Sequence, residues 1–268
     1  DRGDRAAQAE RNTVSALHAG AILYLHGGAF CLGNARSHRS VTTRLAAAAG
    51  LPVWVPEYRL APEHPHPAGL QDARSCWRAM RDAGYPAERI VVAGDSAGGA
   101  LALALTLSLR DDGENLPAGL ALLSPVTDPS LSGSVPGTHS GVADPMIRRG
   151  WLRQALGWYR LPANDATGRP LRTPLTGLPP MLIQAGDQEI LLSDAVRLAA
   201  HARRCGVETR LEIHAQRWHV FHLQAAYLRS ARRALITVAE FARARVTPTI
   251  DTGDSAVCRR AFAGERAS

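Results

Sequence analysis

Apolar runs bounded by turn residues alternate with longer amphipathic stretches along the chain, the pattern of a mostly parallel sheet covered by helices. Six segments read as strands: residues 21–25, 52–55, 90–93, 120–123, 181–185 and 209–213. They are short, rich in Val, Ile and Leu, and continuous rather than alternating, as burial on both faces requires. Helices are expected between them, over residues 38–49, 67–83, 97–110, 193–205 and 221–244. A chain of 268 residues suits one large α/β domain with a substantial core.

One region interrupts the alternation. Residues 127–177 lie between two strands yet are far longer than a single crossover helix needs, so they are read as an insertion. It opens on turn residues (Asp128, Pro129, Ser130) and carries an aromatic helical piece around Trp151, Leu152, Leu156, Trp158 and Tyr159. Such a piece either fills the core or lids a pocket, and the length of the insertion favours the lid. The expected organisation is a short leading segment (1–19), a core in two parts (20–126 and 178–245), the cap (127–177) and an aperiodic tail (246–268) expected to be disordered.

Composition changes this picture little. The formal charge of +7 would ordinarily suggest nucleic acid or an anionic membrane as partner. All the cations are arginines, however, scattered among alanines rather than gathered into a stripe, so no nucleic-acid surface is expected. Cys31, Cys76, Cys205 and Cys258 are far apart, without CxxC or Cys/His spacing, which argues against a zinc site or a disulfide framework. No apolar run approaches the ~18 residues of a membrane span. These features lead to the expectation of a cytoplasmic protein with no membrane partner, metal or cofactor.

The strongest chemical signal is Gly94-Asp95-Ser96-Ala97-Gly98, which follows a strand directly and precedes a strong helix former. A nucleophile elbow needs a strained strand-to-helix turn, and glycines two residues either side of the serine remove side chains that would collide there. The serine Oγ is then presented at a helix amino terminus, where backbone N–H groups favour a developing negative charge. A second signal, His26-Gly27-Gly28-Ala29, also follows a strand. Acyl transfer passes through an oxyanion, and each preorganised N–H donor aimed at it lowers the barrier by about 3 kcal/mol. The amides of Gly28, Ala29 and Ala97 are the candidate donors. Asp95 is read as structural within the elbow, Asp194 as the start of the helix after residues 186–189, and Arg59 with Glu63 as a buried structural pair.

Together these motifs resemble the hormone-sensitive-lipase-like branch of the α/β-hydrolases, bacterial esterases and lactone hydrolases marked by a His-Gly-Gly-Gly loop and a Gly-Asp-Ser-Ala-Gly elbow. The resemblance extends through Tyr58-Arg59-Leu60-Ala61-Pro62-Glu63, Leu178-Pro179-Pro180 and Trp218-His219-Val220-Phe221, covering about residues 20–245. It implies an α/β-hydrolase fold with a helical cap and a Ser–acid–His triad in that chain order, Ser96 being the nucleophile. Among His201, His214, His219 and His222, the family pattern matches His219 as the base, with His222 next. Gln216-Arg217 departs from the Gly-Met of many relatives. For the acid, Gly186-Asp187-Gln188-Glu189 offers two carboxylates that could both reach a histidine; the family spacing, counted from Pro180 and back from Gly206, selects Glu189, with Asp187 second. The family acid is usually aspartate, but either carboxylate can orient an imidazole.

The resemblance further implies hydrolysis of short acyl esters or small lactones, with Trp151, Trp158 and Tyr159 as candidate pocket walls. A non-catalytic ligand-binding homologue and an amidase on the same triad are the rival readings; the retained His219 speaks against the first. Relatives carry cap helices and two strands ahead of the strand that leads into His-Gly-Gly, whereas twenty polar-rich residues precede Ala21. The expectation is that those elements are missing and that residues 52–55 form an exposed apolar edge, open to pairing with another chain such as a second copy in a homodimer.

Overall fold

The computed structural model describes residues 20–133 and 144–247. Six parallel strands form one sheet: β1 (Ala21–Leu25), β2 (Val53–Trp54), β3 (Ile90–Asp95), β4 (Gly119–Leu123), β5 (Met181–Gly186) and β6 (Thr209–His214), in the order β2-β1-β3-β4-β5-β6. The helices are α1 (Arg39–Ala49), α2 (Ala68–Asp82), α3 (Ala97–Asp111), α4 (Arg149–Tyr159), α5 (Leu192–Arg204) and α6 (Arg229–Val246). All six expected strands are present.

Alternate residues of the central strands supply two cores. Leu23, Leu25, Val92, Leu122 and Ile183 pack towards α2, α3 and α5. Ile22, Tyr24, Val91, Ala93 and Leu182 pack towards α1 and α6. Burial on both faces is why β1, β3, β4 and β5 read as unbroken apolar runs. The outer strands differ, because each has one neighbour among the described residues. Arg210 and Ile213 of β6 are exposed, so this strand is not buried on both faces as expected, in keeping with the alternation of Arg210 and Glu212 with Leu211 and Ile213. At the other edge, β2 is half-buried and pairs with β1.

Two boundaries differ from expectation. The continuous helix over 221–244 is instead a short 3₁₀ turn, Phe221–Gln224, followed by α6 from Arg229, because Phe221 and His222 are pulled under the sheet and the chain must exit through an extended Leu228. At the far end, Val246 is the last residue of α6 and is buried against β-sheet side chains rather than belonging to a loose tail. The expectations for 1–19 and 248–268 lie outside the described residues. Arg59 does not pair with Glu63: it forms a two-pronged bond with Asp72 at the surface, and Glu63 is exposed.

Candidate active site

The reversal of strand order between β1 and β3 opens a crevice at the carboxyl ends of the strands, where ligands of open α/β sheets bind. Each relevant loop leaves one of those ends: Gly27–Ala29 after β1, Ser96 after β3, Ser124 after β4, Glu189 after β5 and His219 after β6.

Ser96 stands between β3 and α3 with φ 52° and ψ −118°, a conformation strongly disfavoured for a residue with a side chain. Two glycines make that turn possible. A Cβ on Gly98 would strike the Leu25 carbonyl, and one on Gly94 would lie 2.5 Å from the Gly98 carbonyl oxygen. The helix that follows is buried on almost every side, which anchors the elbow rigidly.

His219 Nε2 lies 2.9 Å from Ser96 Oγ, with both residues buried. On the other side of the ring, His219 Nδ1 faces Glu189 Oε1 at 3.9 Å. Neither of those two buried atoms has a hydrogen-bond partner among the described residues. The remaining Glu189 oxygen, Oε2, accepts hydrogen bonds from Ser124 Oγ (2.7 Å) and the Gly186 amide (3.0 Å). A carboxylate clamped through one oxygen thus presents the other to the imidazole.

The structure therefore brings Ser96, His219 and Glu189 together and leaves Asp187 aside. The Asp187 carboxylate accepts the Arg217 amide at 3.2 Å, while the Gln188 amide donates to the Arg217 carbonyl, so Asp187 joins the acid loop to the base loop. His222 is not in reach of the serine either. Its Nε2 meets Gln184 Oε1 at 3.0 Å, and burial, aided by His214, pushes its pKa down to about 3. His201 bonds the Thr173 carbonyl, and His214 packs at a tilt against Phe221, with ring centroids 4.9 Å apart.

The loop after β1 is held from beneath. Asp95 Oδ1 accepts the Gly27 amide (3.0 Å) and the Tyr24 hydroxyl (2.8 Å), and Oδ2 meets His38 Nε2 at 3.3 Å. Burial would raise the Asp95 pKa, but His38, Tyr24 and the Gly27 amide outweigh it and hold the carboxyl below its ordinary range. The Tyr58 hydroxyl donates to the His26 carbonyl at 2.5 Å. Gly28, Ala29 and Phe30 then run with φ of 122°, 53° and 64°, an arc that turns successive N–H groups inward. The amides of Gly28, Ala29 and Ala97 have no partner among the described residues.

A cavity of about 600 Å³ covers this centre, lined by Gly28, Ala29, Ser96, Trp151, His219 and Leu223. Trp151 thus stands at the wall expected for it, on a helix of the 127–177 insertion. Trp158 and Tyr159 do not. Trp158 projects from the exposed side of α4, and Tyr159 points the other way, stacked on Phe30 with ring centroids 3.8 Å apart. Trp158 lies two turns further along the same face of α4 as Trp151, past the end of the cavity lining, whereas Tyr159 is turned by roughly 80° towards Phe30.

Reading the sequence missed Ser124, Tyr24 and His38. Only Ser124 had a signal available, its place at the carboxyl end of a strand where the other loops converge. Among the described residues, no cluster of His, Cys, Asp and Glu is arranged to hold a metal, and no helix is long and apolar enough to cross a membrane.

A family model described as the α/β hydrolase fold matches residues 22–223. An acetyl-hydrolase of Streptomyces hygroscopicus is 38% identical over 226 residues, covering 83% of this chain and 75% of the relative. An esterase of Acinetobacter venetianus is 35% identical over 224 residues, covering 82% and 74%. Among solved structures, an esterase from the bacterial hormone-sensitive lipase family superimposes with a TM-score of 0.81 at 36% identity, over 85% of this chain and 77% of that one.

Proposed function

The chain belongs to the α/β-hydrolase family, in its hormone-sensitive-lipase branch, and from that premise we propose that it is a serine carboxylesterase acting on short acyl esters or small lactones. The observation that carries the reading is the 2.9 Å contact between Ser96 Oγ and His219 Nε2 in a cavity also lined by Gly28 and Ala29, whose amides have no partner among the described residues.

In this mechanism His219 Nε2 takes the Ser96 proton as Oγ attacks the carbonyl carbon. The negative charge on the carbonyl oxygen is received by the amides of Gly28, Ala29 and Ala97. Glu189, presented to His219 Nδ1, fixes the tautomer and stabilises the imidazolium. The imidazolium then gives its proton to the departing alcohol, leaving an acyl group on Ser96. A water molecule, deprotonated by His219, attacks that acyl group and regenerates the serine. The 3.9 Å gap between His219 Nδ1 and Glu189 Oε1 suits a resting site, since such bonds tighten as charge develops. The cavity walls contributed by α4 support a limit on acyl size. A cytoplasmic location, an ester or lactone as the small-molecule partner, and pairing with a second copy as a homodimer are part of the same proposal.

The test is hydrolysis of p-nitrophenyl acetate, butyrate and octanoate by the full chain beside Ser96→Ala. Rates that fall with chain length and vanish in the variant are expected. A folded wild type with no more turnover than Ser96→Ala would favour a ligand-binding protein, and cleavage of anilides as fast as esters would favour an amidase.

A further inference from the structure

A second cavity, of about 420 Å³, lies on the far side of α4 and has no lining residue in common with the catalytic cavity. Its floor is apolar, built by Leu101 and Ala104 of α3 with Leu156 and Leu161. Its polar lining includes three arginines, Arg153, Arg160 and Arg169. None of the three guanidinium groups has a carboxylate partner among the described residues, and Arg169 Nε is buried without any hydrogen-bond partner. Other arginines are matched: Arg59 with Asp72, Arg74 with Glu114, Arg197 with Asp128. The nearby Asp165 carboxylate is engaged by His66 at 2.6 Å and by Thr167.

These three arginines, unmatched among the described residues, line one partly enclosed, apolar-floored space, and an anion bound there would form charge-assisted bonds with them. Volume is sufficient for more than a bare ion: an apolar cavity of about 150 Å³ accepts benzene. We propose that this cavity is a binding site for a small amphiphilic carboxylate, its head group held by Arg153, Arg160 and Arg169 and its alkyl chain lying on the leucine floor. The site is independent of the chemistry at Ser96. It shares α4 with the catalytic cavity, whose wall carries Trp151 and Leu152, so its occupancy bears directly on the helix that bounds the substrate.

Octanoate titrated calorimetrically into the full chain tests this, beside R153Q/R160Q/R169Q and, because Arg153 and Arg160 are exposed and their replacement leaves packing untouched, R153Q/R160Q. Saturable binding, weakened tenfold or more in the triple variant and part-way in the double, is expected. Octan-1-ol, with the same chain and no charge, is expected to bind more weakly and equally to all three proteins. Equal octanoate binding by wild type and both variants would overturn the proposal, because these arginines do not touch the catalytic cavity. Absence of saturable binding would overturn it too. Inorganic phosphate binding as tightly as octanoate would remove the amphiphile in favour of a simple anion site.

Discussion

Ser124 Oγ donates a hydrogen bond to Glu189 Oε2 at 2.7 Å and accepts one from the Val220 amide at 3.2 Å, so one hydroxyl ties the acid to the residue that follows the base. Ser124 has a φ of 49°, a backbone geometry that glycine adopts freely. Replacing it with glycine removes the hydroxyl while easing the backbone. Ser124→Gly is expected to lower kcat about tenfold on p-nitrophenyl acetate, with KM nearly unchanged, since a lost buried hydrogen bond is worth about 1–3 kcal/mol. A thermal midpoint close to wild type would separate this positioning effect from unfolding.

Glu189 and Asp187 differ in what they face, and their amide variants are expected to differ accordingly. Glu189→Gln keeps the bonds to Ser124 and Gly186 within reach but cannot stabilise an imidazolium, so kcat is expected to fall by roughly 10²- to 10⁴-fold. Asp187→Asn retains an acceptor for the Arg217 amide and is expected to stay within a few-fold of wild type. Equal losses in steady-state assays would contradict the assignment of the acid.

Asp95 sits beneath the loop of unpaired amides, fully enclosed with Tyr24 and His38. Asp95→Asn leaves His38 without its charged partner and places an NH₂ group against a donor. Breaking a buried pair in this way costs about 3–5 kcal/mol. Urea unfolding is expected to report a loss of that order.

His222 makes stability depend on pH. Its burial keeps the ring neutral, with a pKa of about 3 in the folded protein against 6.5 in an unfolded chain. The unfolded state therefore binds the proton first, so this contribution is complete above pH 6.5 and is lost as pH falls from there towards 3. Between pH 6 and 4 the unfolding free energy of His222→Asn, which retains a donor for Gln184, is expected to vary with a slope about one proton smaller than wild type. Parallel slopes would show that the ring is not held neutral.

Strand and helix placement was legible along the chain because burial on both faces writes continuous apolar runs, and the elbow was legible because glycine is the only residue its close approaches allow. Edge strand β6 departs from the expected burial on both faces: Arg210 and Glu212 alternate with Leu211 and Ile213, and pairing with β5 alone leaves one side of the strand open. The expected helix over 221–244 is broken by tertiary contacts: the local sequence carries helical periodicity, but the packing of Phe221 and the bond from His222 to Gln184 interrupt it. Tertiary structure alone decided which carboxylate faces His219, because Asp187 and Glu189 are two residues apart in a loop and their directions depend on Ser124 and Arg217, distant in sequence. It also decided that α4 divides two cavities, with Trp151 on one and Tyr159 on the other. Local sequence determines which backbone shapes are sterically open; the direction of a polar side chain in a loop is set by partners that only the folded chain brings within reach.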